Sequence, residues 1–239
     1  MSESDQTAIQ ARRPGSDKRG PKGSAAHKRG GNTRQHVLDC AARLFRTQGY
    51  AATSLRDIAA ASGMKPGSLY YHFPSKEKIV IEVLDRGVGA VFDEVRRSVG
   101  LLPPEASCET QIRTAIFSHL RSLLGHHDYT SANTRIFGQV PPRIREASVA
   151  LRKRYEQFWD DLLRRCAASG ALRSDTDLKL LRLFLFGAMN GSLEWFRFGG
   201  KRTIEQLAKE LGTVVIRGAG APGRRGAIAP AARVRRLRA

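Results

Sequence analysis

The stretch SLRDIAAASGMKPGSLYYHFPSK, residues 54–76, decides the fold. Ser54 followed three residues later by Asp57 is typical of a capping box, so a helix is expected to begin there. Gly63 can adopt the positive φ of a tight turn. Pro66 suits the first turn of a following helix, because its missing N–H needs no partner there. The stretch therefore predicts two short helices joined by a glycine turn.

Apolar residues recur at helical spacing along the rest of the chain, and no alternating strand pattern competes with them, so the fold class expected is all-α. Residues 125–132 are predicted as a polar loop, and residues 142–169 as one long helix that Gly170 ends. The predicted helices cover about 33–48, 54–61, 66–73, 75–99, 105–124, 133–137, 142–169, 178–198 and 203–216.

The chain has 239 residues, of which 41% are hydrophobic and 26% charged, as in soluble globular proteins. More than half of its net charge of +19 lies in residues 1–32 and 217–239. Both segments are predicted to be disordered basic tails. Between them we predict two domains, residues 33–79 and residues 80–216. Such a positive balance favours a polyanionic partner. One hypothesis that follows is a non-specific nucleic-acid-binding protein that acts through its tails.

Several functional classes lack support in the sequence. Cys40, Cys108 and Cys166 are far apart, and neither a CxxC pair nor a Cys/His metal spacing is present. Cys108 with His119 lacks the third member that a nucleophilic site needs. No apolar run reaches the roughly 18 residues of a membrane span, and no secretory signal is recognisable. We expect a cytoplasmic protein that is not an enzyme, binds no metal or cofactor and does not associate with a membrane.

Two short helices within a three-helix unit form a helix-turn-helix, whose second helix enters the major groove of DNA. Leu69 and Phe73, four residues apart, should face the core. Gly67 lets the backbone approach the phosphates. The first amides of the helix after Ser75 form an anion site suited to one phosphate, together with the side chain of Lys76. The hydrogen-bonding residues expected on the outer face are Lys65, Ser68, Tyr71 and His72, with Arg56 nearby on the preceding helix.

The sequence TSLRDIAAASGMKPGSLYYHFPSKEKI, residues 53–79, resembles the DNA-binding signature of the TetR/AcrR family of bacterial transcriptional regulators. The motifs DIA, GxxxGSLYYHF and SKE carry the resemblance, which is dense over about residues 33–80. The resemblance implies that Tyr70, His72 and Lys76 contact backbone phosphates. It also implies that the positions nearest the bases are Arg56, Lys65, Gly67, Ser68 and Tyr71. The family commonly has Ser or Thr as the helix N-cap where this chain has Lys65, so Lys65 is expected to shape operator preference.

The segment LLRLFLFGAMNGSLEWF, residues 180–196, predicts a helix that is apolar on nearly every face. Such a helix can pack on its own domain with one face and on a second subunit with another. The resemblance implies a homodimer formed by the last two helices. Asn190, a polar residue within this helix, is either an interhelical hydrogen bonder or a ligand contact.

The resemblance also implies a ligand cavity between the fourth helix and those from about 112 to 190. The effector expected is small and hydrophobic. An acyl-CoA, suggested by the ending EWFRFGG, and a neutral drug-like compound remain alternatives. Binding would shift the population away from a palindromic operator, as in a repressor. The candidate ligand contacts are Phe117, Phe137, Phe158, Trp159, Asn190 and Trp195.

Overall fold

A computed structural model of the protein describes residues 23–125 and 127–220, and the predictions for residues 1–22 and 221–239 lie outside these ranges. The regular secondary structure of the described residues consists of ten helices and one isolated bridge between Leu172 and Gly220. This confirms the all-α fold class. None of these helices is long and apolar enough to cross a membrane. The helices are α1 (Gly23–Gln48), α2 (Leu55–Ala61), α3 (Pro66–His72), α4 (Lys76–Gly100), α5 (Cys108–Gly125), α6 (His127–Ile136), α7 (Pro142–Ala147), α8 (Val149–Ala168), α9 (Leu178–Trp195) and α10 (Ile204–Ala219).

The α2–turn–α3 unit has the local geometry that the sequence predicts. The backbone N–H of Asp57 donates to Ser54 Oγ over 3.2 Å, and the backbone N–H of Ser54 donates to Asp57 Oδ2 over 2.8 Å, which completes the capping box. Gly63 follows with a φ of 65°, a left-handed conformation that favours glycine. Pro66 begins α3, and Leu69 is fully buried in an apolar cluster that includes residues of α1, α2 and α4. The outer face of α3 is thereby held towards solvent.

The buried apolar residues form two clusters that meet along α4. One cluster packs α1, α2 and α3 on the first half of α4, and the other packs α5, α8, α9 and α10 on its second half. The first cluster also contains Ala132, Ile136, Val140 and Ile144, which come from α6, α7 and the segment between them. The buried residues therefore continue across the domain boundary predicted at residue 80, which stays a prediction.

Helix α6 is tied to both α1 and α4. Several hydrogen bonds join α6 to α1: Arg46 Nε donates to Asp128 Oδ1 over 2.7 Å, and the Tyr129 hydroxyl donates to Asp39 Oδ1 over 2.7 Å. An Arg135 guanidinium nitrogen also donates to the Arg46 carbonyl oxygen over 3.0 Å. On the α4 side, a Cβ atom added at Gly87 would lie 2.6 Å from the carbonyl oxygen of Tyr129. Only glycine permits this approach of the two helices.

Helices α8 and α9 are joined by a buried arginine. Arg182 Nε donates to Asp160 Oδ1 over 2.7 Å, and another of its guanidinium nitrogens lies 3.5 Å from Glu156 Oε2. Both carboxylates are on α8, so the pairing compensates for burial of the Arg182 charge and fixes the position of α9.

Two predictions about the N-terminal part and the middle of the chain are wrong. Helix α1 begins at Gly23, ten residues before the expected start near Thr33. The glycine-rich composition of that segment lowers helix propensity, but propensity is only a weak prior. Most of the predicted polar loop, residues 125–132, belongs to α6. Asp128 and Tyr129 in this segment bond to α1, and Thr130 bonds to the Leu123 carbonyl oxygen on α5. The bonds to α1 are long-range effects that the local sequence does not reveal.

The predicted helix 142–169 is also wrong as a single element, because the chain breaks at Ser148 into α7 and α8. The Ser148 hydroxyl is buried and donates to Asp85 Oδ1 on α4 over 2.6 Å. This bond to another helix holds the junction, and the break lets α7 and α8 follow the surface of α4 separately. Helix α9 likewise ends at Trp195 instead of 198, since Phe196 turns into an extended conformation and is buried.

Candidate nucleic-acid interface and ligand cavity

The outer face of α3 is a compact polar and aromatic surface. Tyr71 is 88% exposed and Tyr70 is 53% exposed, although aromatic side chains are usually more buried than this. Tyr71 and His72 contact each other edge to face, with ring centroids 5.4 Å apart. Among the predicted residues, those exposed to solvent are Arg56, Lys65, Gly67, Ser68, Tyr70 and Tyr71, and His72 is half-buried. The predicted base-reading positions are thus accessible to a partner, and their roles stay predictions.

Lys65 is the N-cap residue of α3, with extended backbone geometry. Within the described residues its side chain makes no capping hydrogen bond, as the sequence predicts for a lysine. The amides at the start of α3 therefore lack the side-chain acceptor that Ser54 supplies to α2. A positive charge at this helix end is also unfavourable to the helix dipole.

Lys76 lies at the start of α4, but its ammonium group is turned inward. Its Nζ donates to the Tyr50 carbonyl oxygen over 2.5 Å and lies 4.0 Å from the centroid of the Tyr50 ring. Desolvation lowers the pKa of Lys76, and attraction from Asp57 partly offsets that effect. The predicted contact of Lys76 with a phosphate requires this side chain to leave Tyr50, and it stays a prediction.

A cavity of about 200 Å³ lies among α4, α5, α6, α8 and α9. Its apolar wall includes side chains from three of these helices, and its polar wall includes a histidine, an arginine, a tyrosine and two asparagines. Pockets for drug-sized ligands occupy roughly 300–1,000 Å³, so this cavity suits a small ligand or part of a larger one. The lining residues are Gly87, Val88, Val91, His119, Leu123, Thr130, Asn133, Thr134, Phe137, Gly138, Arg152, Tyr155, Phe186 and Asn190.

His119 stands at the centre of a buried polar network. Its Nδ1 lies 2.7 Å from the Tyr155 hydroxyl, and its Nε2 lies 3.3 Å from Asn190 Oδ1. Because an amide oxygen only accepts, Nε2 carries the proton and Nδ1 accepts from the Tyr155 hydroxyl. Burial lowers the pKa of His119 to about 4, while the Asn190 bond opposes the shift. His119 is therefore a neutral hydrogen-bonding group near pH 7.

Arg152 supplies a positive charge to the same cavity. Its guanidinium carbon lies 3.7 Å from the centroid of the Phe137 ring, and one terminal nitrogen donates to Asn133 Oδ1 over 2.9 Å. Its Nε is buried and, within the described residues, has no hydrogen-bond partner. Desolvation lowers the pKa of Arg152, which attraction from Glu156 and Asp85 partly offsets.

The six predicted ligand contacts are divided among different environments. Phe137 and Asn190 line the cavity. Trp159 is fully buried behind it, with its ring centroid 5.9 Å from that of Phe186. The other three lie elsewhere: Phe117 beneath Arg121, Phe158 against Phe92, and Trp195 exposed at the end of α9. The ligand role of all six stays a prediction.

Sequence reasoning missed His119, Arg152 and Tyr155 as cavity residues. One signal was present for His119, which interrupts the apolar stripe of α5 between Ile116 and Leu120. Arg152 carries no comparable signal, because an arginine on an amphipathic helix is most often solvated. Among the described residues, no cluster of three or more His, Cys, Asp or Glu could hold a metal ion.

An exposed apolar face runs along α9, opposite its buried side. Phe184 is 66% exposed and Trp195 is 56% exposed. Small residues at Gly187, Ala188 and Gly191 lie between them and are also exposed, so another helix could approach closely. The large exposed apolar residues of α9, α10 and their connection are Leu180, Leu183, Phe184, Trp195, Phe198 and Val214.

Comparison with known proteins gives matches to both halves of the chain. Residues 37–83 match the family described as bacterial regulatory proteins, tetR family, and residues 105–219 match the tetracyclin repressor-like C-terminal domain. The HTH-type transcriptional repressor KstR2 of Rhodococcus jostii (strain RHA1) is 31% identical over 191 residues, which cover 79% of this chain and 92% of that protein.

Solved structures give the same result. The ketosteroid transcriptional regulator KstR2 of Mycobacterium tuberculosis has a TM-score of 0.68 at 27% identity, covering 79% of this chain and 95% of that one. AibR, in a crystal structure with isovaleryl coenzyme A and operator DNA, has a TM-score of 0.68 at 22% identity, covering 76% and 97%, and this likeness shows the fold alone. With its helix-turn-helix, its helical C-terminal domain and a relative matched over nearly its full length, the chain belongs to the TetR family of bacterial transcriptional regulators.

Proposed function

We propose that the protein is a homodimeric repressor that binds a palindromic operator through α3 and leaves it when a small hydrophobic effector fills the cavity. The observation that carries the proposal is the outer face of α3. Tyr71 is solvent-exposed within a helix of only seven residues, and Ser68 on the same helix and Arg56 on α2 are also exposed. A rigid aromatic and polar surface of this kind matches the donors and acceptors of a major groove.

The apolar face of α9 supports the homodimer. Phe184 and Trp195 are exposed on it, whereas soluble monomers rarely expose large contiguous apolar patches. A C2 interface uses the same patch on both subunits. Pairing through α9 and α10 would hold two copies of α3 at a fixed separation, which a palindromic operator requires.

The position of α6 supports a link between effector and DNA. One side of α6 lines the cavity through Asn133 and Thr134, and the other side bonds to α1 through Asp128 and Tyr129. An effector that fits only one position of α6 would favour one position of α1, and hence one separation of the two α3 helices. That differential affinity is the requirement for a ligand to shift the population.

The cavity composition supports a small, mainly hydrophobic effector. Val88, Val91 and Phe186 offer an apolar wall, and the few polar groups could fix the orientation of the ligand. A ketosteroid regulator among the relatives and the isovaleryl coenzyme A complex of AibR are both consistent with a hydrophobic body. An acyl-CoA is one member of this class, and its nucleotide part would extend beyond a cavity of about 200 Å³.

The test is selection of a binding site from random DNA by the purified protein. We expect a palindrome with half-sites about one helical turn apart. Arg56→Ala and Tyr71→Ala should each reduce the preference for the selected site over a scrambled one by about 1–3 kcal/mol, with unchanged thermal stability. Arg202→Ala, an exposed arginine between α9 and α10, is the matched control and should bind like the wild type. Full preference in both α3-region variants would show that the surface is misassigned.

A further inference from the structure

Arg152 has the features of an anion-binding residue inside the cavity. Its guanidinium is stacked on Phe137 at 3.7 Å from the ring centroid, which fixes its plane. One nitrogen is used by Asn133, and within the described residues the buried Nε has no partner. A buried donor without an acceptor is unfavourable, so an incoming acceptor at this position is stabilised.

The two carboxylates whose charges raise the pKa of Arg152, Asp85 and Glu156, are paired with other residues. Asp85 Oδ1 accepts the Ser148 hydroxyl over 2.6 Å, and Glu156 lies 3.5 Å from the guanidinium of Arg182. Neither forms an ion pair with Arg152 within 4.0 Å in the described part of the chain. The charge of Arg152 is therefore compensated only from a distance.

The other end of the polar wall carries no charge. His119 is neutral near pH 7, and its two nitrogens are held by Tyr155 and Asn190. An anion would therefore be attracted to Arg152 and not to His119. Val88 and Phe186 line the same cavity and suit an apolar body.

From this arrangement we propose that the effector is an amphipathic anion whose negatively charged oxygen group binds Arg152 and whose apolar body lies against Val88 and Phe186. The anionic group is a carboxylate of the effector itself or a phosphate of a nucleotide-bearing thioester. Both fit the planar fork of a guanidinium, which can form two parallel hydrogen bonds. The inference rests on the proposed function in placing the effector in this cavity.

The test is calorimetric titration of the purified full-length protein with octanoate, octanoyl-CoA and octanamide. Octanamide has the shape of octanoate and no charge. A charge-assisted hydrogen bond in a buried site corresponds to about a tenfold or larger change in affinity. We expect the wild type to prefer octanoate or octanoyl-CoA over octanamide by at least that factor. If replacing Arg152 weakens the preference for octanoate, the group that binds Arg152 is a carboxylate. If it weakens only the preference for octanoyl-CoA, that group is a phosphate.

Arg152→Gln should remove the preference and leave octanamide binding within about twofold of the wild type. Arg154→Gln changes an exposed arginine on the same helix and should retain the preference. Arg152→Lys keeps the positive charge but loses the planar guanidinium, so it should retain part of the preference for anions. This variant provides the test if Arg152→Gln does not fold. The inference is overturned if octanamide binds the wild type as tightly as both anions, if Arg152→Gln keeps the preference, or if neither anion binds.

Release of the selected operator DNA is measured with the same ligands. This measurement distinguishes a failure of the anion site from a failure of effector-controlled repression. Arg152-dependent binding of an anion without release of DNA would support the anion site and contradict effector-controlled repression. Release of DNA by octanamide as efficiently as by the anions would support effector control and contradict the anion site.

Discussion

At the scale of single residues, Lys65 is a position where helix stability and the proposed contact with DNA have opposite requirements. Replacing it with serine, Lys65→Ser, should supply the missing N-cap acceptor and remove a charge that the helix dipole disfavours. We expect the free energy of unfolding in urea to rise by about 1 kcal/mol, while preference for the selected operator falls. Ser54→Ala, which breaks the capping box of α2, should lower stability by a similar amount. If Lys65→Ser has the same stability as the wild type, the backbone N–H groups at the start of α3 already have other hydrogen-bond acceptors.

His119 should make stability depend on pH. Its pKa in the folded protein is about 4, below the ordinary value of 6.5, because burial disfavours the charged form. The unfolded chain therefore binds a proton that the folded protein does not, and stability falls as the pH decreases from about 6.5 to about 4. At pH 5 the loss attributable to His119 is about 2 kcal/mol relative to pH 7.5. Chemical denaturation of the wild type and His119→Gln at both pH values measures this loss. Equal losses in the two proteins would contradict the lowered pKa of His119.

At the scale of helices, the contact of α4 with α6 depends on one glycine. In Gly87→Ala the new Cβ would lie 2.6 Å from the Tyr129 carbonyl oxygen and 2.7 Å from Asn133 Cβ, so the helices must separate. We expect a loss of about 1–3 kcal/mol in the free energy of unfolding. Gly89→Ala, two residues along α4, places its Cβ 3.5 Å from Leu151 Cδ2, an ordinary contact. This control should gain up to about 1 kcal/mol from helix propensity, and a similar response of both variants would contradict the close approach.

The elements that the sequence predicts well are those whose signals are local. The start of α2, the turn at Gly63 and the start of α3 follow from caps and glycine, which act within a few residues. The start of α6 and the break at Ser148 depend instead on bonds to distant helices, through Asp128 to α1 and through Ser148 to α4. Local periodicity cannot reveal a hydrogen-bond partner more than 60 residues away.

The same distinction applies to the candidate sites. The exposed residues of α3 are continuous in sequence, so their shared face follows from helical spacing alone. The cavity draws its lining from five helices, and its polar residues are recognised only once those helices are packed. His119 on α5, Tyr155 on α8 and Asn190 on α9 form one network across 71 residues of sequence.

At the scale of the whole molecule, the two apolar clusters share α4. A displacement of α4 in one cluster would therefore also shift the packing of the other. The first cluster includes the buried face of α3 together with Ile136 and Ile144, and α6 also lines the cavity. Well-packed interiors transmit small displacements instead of absorbing them. In the proposed mechanism, α6 and α4 would therefore transmit a change in the cavity to α3.

In the proposed homodimer, the exposed face of α9 joins the two subunits and so sets the separation of their α3 helices. In Phe184→Arg a charged side chain replaces an aromatic one at the centre of the face, and burying it against a partner would be costly. We expect light scattering after size exclusion to give the mass of one 26.4 kDa chain for the variant and twice that mass for the wild type. Operator affinity should fall by about 10²–10⁴, because two linked contacts become two independent ones. Leu101→Arg, at a 75% exposed apolar residue after α4, is the control and should remain dimeric with full affinity. A monomeric wild type, or a Phe184→Arg protein that is still dimeric, would show that this face has another role.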